Sequence, residues 1–163
     1  MQTDIGEYIV GAYLKLIEKC DVIDYNVRPT GGGVKGLGEL DVIGMNFNTK
    51  TVFVCEVTTH LDGLNYGKGN GGSVQKIQDK HRRQKEYAEE FLSGFKHKRF
   101  MFWSPRIAKG AITNEISQLT DLELIINDEY SKRVDELRAL ARTTTSDCGN
   151  VFFRTLQILE HLR

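Results

Sequence analysis

Between residues 38 and 60 the chain reads GELDVIGMNFNTKTVFVCEVTTH, two apolar runs split by a polar knot of Asn46, Asn48 and Lys50. Both runs are rich in β-branched and aromatic residues, which predicts strands over 40–45 and 51–59 joined as a hairpin. Side chains alternate along a strand, so Val52, Val54, Glu56, Thr58 and His60 share one face, and Phe53, Cys55, Val57 and Thr59 share the other. Upstream the period changes. Residues 4–19 repeat apolar positions every three or four, which predicts a helix with Ile5, Ile9, Ala12 and Leu16 as one stripe and Val10, Gly11 and Leu14 as a second on the side of Glu7. A strand is expected over 22–28, then a glycine-rich turn over 30–38.

Beyond the hairpin, a second glycine-rich stretch over 63–72 leads to Ser73, a candidate N-cap for a long helix running to about Phe91. Its core stripe reads Val74, Ile77, His81, Ala88 and Phe91, with Gln84 inside it. There follow a strand over 99–103 stopped by Pro105, a helix over 107–119, a strand over 122–126, and helices over 128–142 and 150–162. Hairpin strands that feed a long helix and then further strands predict an α/β fold, a three-layer sandwich with a central mixed sheet. The 163 residues suit one domain, with the core motifs in 1–104 and a helical part over 105–163.

Glu56 is the anomaly in this pattern. A carboxylate inside an apolar strand costs several kcal/mol unless it is paired or bound to a cation, the order of penalty for a buried unpaired ion. Asp41, fifteen residues earlier on the preceding strand, offers a second acid, and two carboxylates on adjacent strands are the makings of a divalent-ion site.

Glu39-Leu40-Asp41 followed by Glu56-Val57-Thr58, with Ile5-Gly6-Glu7 opening the first helix, resembles the PD-(D/E)XK nuclease superfamily over roughly the first 90 residues, and in particular its small Holliday-junction-resolvase-like members. The resemblance implies a restriction-endonuclease-like fold and an endonuclease or exonuclease that hydrolyses phosphodiester bonds, with DNA the favoured substrate. It implies Mg²⁺, or Mn²⁺ in its place, held by Asp41, Glu56, the Val57 carbonyl and Glu7. The chain departs from the pattern at Thr58, where the superfamily carries a lysine; a short neutral hydroxyl cannot supply that cation. Lys80, on the edge of the long helix and next to its buried stripe, is the expected replacement, with Lys76 farther round. Gln84 and Tyr87 resemble a glutamine-tyrosine motif of exonuclease branches, with a spacing one residue shorter. The alternative is a module that keeps the fold, binds nucleic acid and does not cut.

Net charge is zero, with 22 basic and 22 acidic side chains, so only local excess points to a partner. Residues 76–99 carry eight basic and four acidic side chains, whereas 115–136 carry two and seven. The basic segment beside the acids suits a polyanion, and nucleic-acid contacts are expected at Lys76, Arg82, Arg83, Gln84, Lys85 and His60. The glycine-rich GKGNGGS lacks the lysine placement of a phosphate-binding P-loop. Cys20, Cys55 and Cys148 have no ligand spacing and read as free thiols, which argues against structural zinc. With no apolar run of membrane-spanning length and no leader-like start, a cytoplasmic location is expected and no membrane partner; a homodimer stays open.

Overall fold

The computed structural model describes residues 2–29, 38–64 and 69–162. In chain order these form α1 (Ile5–Leu16), β1 (Val22–Val27), β2 (Leu40–Asn46), β3 (Thr51–Val57), α2 (Gly69–Phe91), β4 (His97–Ser104), α3 (Ala111–Ile116), β5 (Leu122–Ile126), α4 (Asn127–Thr143) and α5 (Val151–His161). The five strands make one mixed sheet in the order β1-β2-β3-β4-β5. The first three are antiparallel neighbours, and β3, β4 and β5 run parallel. A parallel pair needs a crossover, which α2 supplies between β3 and β4.

The alternation along β3 divides the core. Phe53 and Cys55 pack with Val10, Tyr13, Trp103, Leu137 and Phe153, so α1, α4 and α5 cover that face. Val52 and Val54 pack with Ala88 of α2 and with Leu92 just past its end on the other face, where α3 joins through Ile112 and Ile116. The molecule is therefore α/β, with helices on both sides of a mixed sheet.

Local chemistry sets the element ends. Asp4 caps α1 by accepting from the Gly6 N–H at 2.8 Å, while Glu7 reaches back to accept from the Asp4 N–H at 2.9 Å, a reciprocal capping box. The β2–β3 turn closes through Asn46 Oδ1, which accepts from the Thr49 N–H, and Lys50 takes a left-handed φ of 56°. Gly6 is required by close approach: a Cβ there would collide with Thr59 Cγ2 and lie 3.0 Å from Val57 Cγ1. Only glycine lets the first turn of α1, and with it Glu7, rest against the end of β3.

Some expectations need correction. The buried face of α1 is built from Val10, Ala12, Tyr13 and Leu14, while Ile5 is 53% exposed. The stripe named first in the sequence is thus the more exposed one, because the packing of Gly6 and Gly11 on the sheet turns the helix. The long helix begins at Gly69, so Ser73 lies inside it, buried, and is no cap. Its core stripe ends on Ala88; Phe91 is exposed, and the buried residue that follows is Leu92, just past the end of the helix. The third helix is cut to Ala111–Ile116: Gly110 takes φ 136°, and the preceding segment is tied down by Asn127 Oδ1, which accepts from the Ile107 N–H. The turn over 30–37 and residues 65–68 of the second glycine-rich stretch lie outside the described residues.

Candidate active site

β2 and β3 pair antiparallel with Val42 opposite Cys55, which sets Asp41 beside the end of β3. The Val57 N–H donates to Asp41 Oδ2 at 2.7 Å, so the backbone fixes that carboxylate. Glu56 sits one position earlier and is 2% exposed. Above both lies α2, and the Lys80 ammonium stands 2.5 Å from Glu56 Oε2 and 3.8 Å from Asp41 Oδ2. One cation in reach of both acids confines the two oxygens to within the sum of those distances.

Burial pushes the Glu56 carboxyl up to about 7, and the nearby Asp41 charge adds to this against the opposing pull of Lys80 and Arg83. Glu7 is also raised, chiefly by burial, with a smaller push from Asp41. Its Oε2 accepts from both the Asp4 N–H and the Asn26 amide, the latter at 3.0 Å. Asn26 escaped the sequence reading. It holds a left-handed φ of 54° within β1, a conformation asparagine tolerates better than most residues, and the only trace in the sequence is a polar side chain in an otherwise strand-like run.

Glu7, Val57, Thr58, His60, Lys76 and Lys80 line one open cleft of about 290 Å³. The structure thus brings together Asp41, Glu56 and Lys80 in direct contact, with Glu7, Val57, Thr58, His60 and Lys76 around them. Thr58 is buried, and among the described residues its hydroxyl has no hydrogen-bond partner. The ammonium nearest the two acids comes from Lys80 on α2.

Three expected nucleic-acid contacts are placed elsewhere. Gln84 is fully buried; its amide donates to the carbonyls of Val54 (2.8 Å) and Met101 (3.0 Å), and its oxygen faces His81. It braces α2 onto β3 and β4 and presents nothing to a ligand. Arg82 pairs with Glu86 and Asp79 on its own helix, and Lys85 pairs with Asp121 at 2.9 Å. Neither lines the cleft, because a step of two or five residues from Lys80 turns roughly 160° or 140° around a helix. Arg83, at i+3 from Lys80, stays on the cleft side and packs so closely on Gly38 that a Cβ there would collide with its guanidinium.

Among the described residues no three His, Cys, Asp or Glu side chains gather into a metal cage. The donor set that does converge is two carboxylates around an ammonium, and carboxylate oxygens of this kind also suit the hard ions Mg²⁺ and Mn²⁺. The residues therefore fit a hard divalent ion held by two protein acids and water, which is how Mg²⁺ is usually bound. The three cysteines are free thiols, with Cys20 and Cys55 buried, and no helix among the described residues is long and apolar enough to cross a membrane. No family model matches the sequence, and a search of curated proteins finds no similar relative.

Proposed function

We propose that this chain is a metal-dependent nuclease of restriction-endonuclease-like fold, hydrolysing phosphodiester bonds, with DNA the favoured substrate. The observation that carries the reading is the convergence of Asp41, Glu56 and Lys80 at the C-terminal end of β3, beside a cleft lined by Lys80 with Glu7, Lys76 and His60. Asp41 and Glu56 would hold Mg²⁺ or Mn²⁺, with the Val57 carbonyl and Glu7 as further oxygen donors, Glu7 directly or through water. When bound, the ion supplies polarisation of the scissile phosphate and acidification of a water. Lys80 gives the positive charge that offsets the developing negative charge on the phosphate, a role in which an ammonium acts as a point charge. Lys76 and His60, on the rim, hold the neighbouring phosphates.

The rival reading, a module that binds without cutting, drew its support from the absent lysine at Thr58. An ammonium seated on both acids weakens that support. Calorimetric titration with Mn²⁺ tests the reading: the wild type should bind one ion, and Glu56→Ala should bind none. Lys80→Met should bind Mn²⁺ no more weakly than wild type, since its ammonium competes for the same oxygens, yet lose turnover by on the order of 10²-fold or more, as when one stabilising charge is removed from a transition state. Absence of ion binding in both wild type and Lys80→Met defeats the metal site.

A further inference from the structure

On α2, positions 76, 80, 83, 87 and 91 recur every three or four residues, so Lys76, Lys80, Arg83, Tyr87 and Phe91 lie along one edge of the helix. The first half of this edge borders the carboxylates. The second half borders a different hollow, of about 100 Å³, where β1 ends and β2 begins, with Pro29, Leu40, Tyr87 and Phe91 as its apolar walls. The two rings lie 4.8 Å apart between centroids at 39°, and Phe91 is left 42% exposed. An exposed aromatic edge on a helix that is otherwise polar outward is an invitation to a flat apolar partner. Arg83 lines the same hollow and stands one turn on from Lys80, joining the two halves. Two further side chains on the rim, Glu86 and Glu90, are acidic. They repel a phosphate, but they accept hydrogen bonds from the amino and imino groups on a base edge.

We propose that this hollow is a stacking pocket for an unpaired nucleobase, so that the cleft selects single-stranded or frayed nucleic acid over continuous duplex; the proposal rests on the nuclease reading above. Lys80 and Tyr87 are seven residues apart, ~10 Å along a helix rising ~1.5 Å per residue. That is about three base rises of ~3.4 Å, which puts a base in the pocket a few nucleotides from the phosphate at the acids. A base within a duplex is stacked on both sides and cannot enter such a pocket without leaving the helix. A basic rail ending in aromatic rings is the arrangement by which single strands are held, the charges following the backbone and the rings taking the bases.

The test is binding of a ten-nucleotide single strand carrying 2-aminopurine and of the matching blunt duplex, with Ca²⁺ in place of Mg²⁺ to suppress cleavage. Wild type should quench the 2-aminopurine fluorescence and bind the single strand more tightly than the duplex. Tyr87→Leu, which keeps an apolar side chain against Leu40, should weaken single-strand binding five- to a hundredfold, the range for one lost base stack, with duplex binding changed less than about twofold. Phe91→Ala, at an exposed ring, gives a smaller loss of the same kind and guards against a folding artefact. Single-strand binding unchanged in both variants, or equal losses on strand and duplex, overturns the pocket while leaving the nuclease reading intact. If wild type binds neither substrate, both fall.

Discussion

Glu56 concentrates the chemistry of the site. Its carboxyl is raised to about 7 from an ordinary value near 4.5, with burial as the first cause. The sign follows: protonated Glu56 suits the fold better than the ion, so its contribution to stability is complete below about pH 4.5 and is lost as pH rises through 7. The metal-free protein should therefore melt at a lower temperature at pH 8 than at pH 5.5, relative to Glu56→Gln, whose amide stays neutral throughout. With excess Mg²⁺ the trend should reverse, because the ion binds the deprotonated form and stabilises it. Thermal melts of both proteins across this range decide the matter; parallel curves would mean that Lys80 keeps Glu56 ionised at every pH. The anomaly of a carboxylate in an apolar strand was legible in the sequence, as were Asp41 and the need for a cation from outside the strand. Asn26 was not, since its role depends on a left-handed backbone that brings its amide to a residue nineteen positions away.

Among the elements, α2 decides whether the site exists, because it alone brings Lys80 to the acids. Gln84 locks it in place by donating to carbonyls of two neighbouring strands, Val54 on β3 and Met101 on β4. Gln84→Ala would leave two buried carbonyls short of a donor and open a void, which together should cost about 2–4 kcal/mol. Urea denaturation should show that loss, whereas Gln78→Ala, on the exposed side of the same helix, should stay within about 0.5 kcal/mol. The sequence placed Gln84 in the buried stripe by period alone, yet the basic run around it suggested a ligand contact. Period reports which face is inside; it does not report which carbonyls wait there. The strands were read nearly to their ends because alternation survives in a half-buried sheet, and β5 was read at its observed limits, Leu122–Ile126. The helix start was misjudged because glycines at 69, 71 and 72 argue for a loop by propensity, and the surrounding fold overrides propensity.

At the scale of the whole molecule the charge is balanced, so binding of a polyanion must come from where cations are left facing the cleft and not from their number. The segment over 76–85 is basic as a string, but the fold sorts it. Arg82 turns away and pairs with Asp79 and Glu86, and Lys85 crosses to Asp121, which lies well below its ordinary value, at about 2, through its bonds to His81 and Lys85. Lys76 and Lys80, the latter paired with Glu56 and Asp41, line the cleft, and Arg83 lines the adjoining hollow. Each phosphate contact releases bound counterions, so removing one should lower the slope of log affinity against log salt by about one unit. Arg83→Glu should therefore weaken binding of a DNA single strand in Ca²⁺ by tenfold or more at low salt and flatten that slope. Arg82→Glu, with the same change of charge one residue away, should leave both nearly as they are. Measuring the two variants side by side from low to moderate salt separates a site built by the fold from a basic run that attracts any anion: equal losses in both would mean that net charge, not the cleft, holds the nucleic acid.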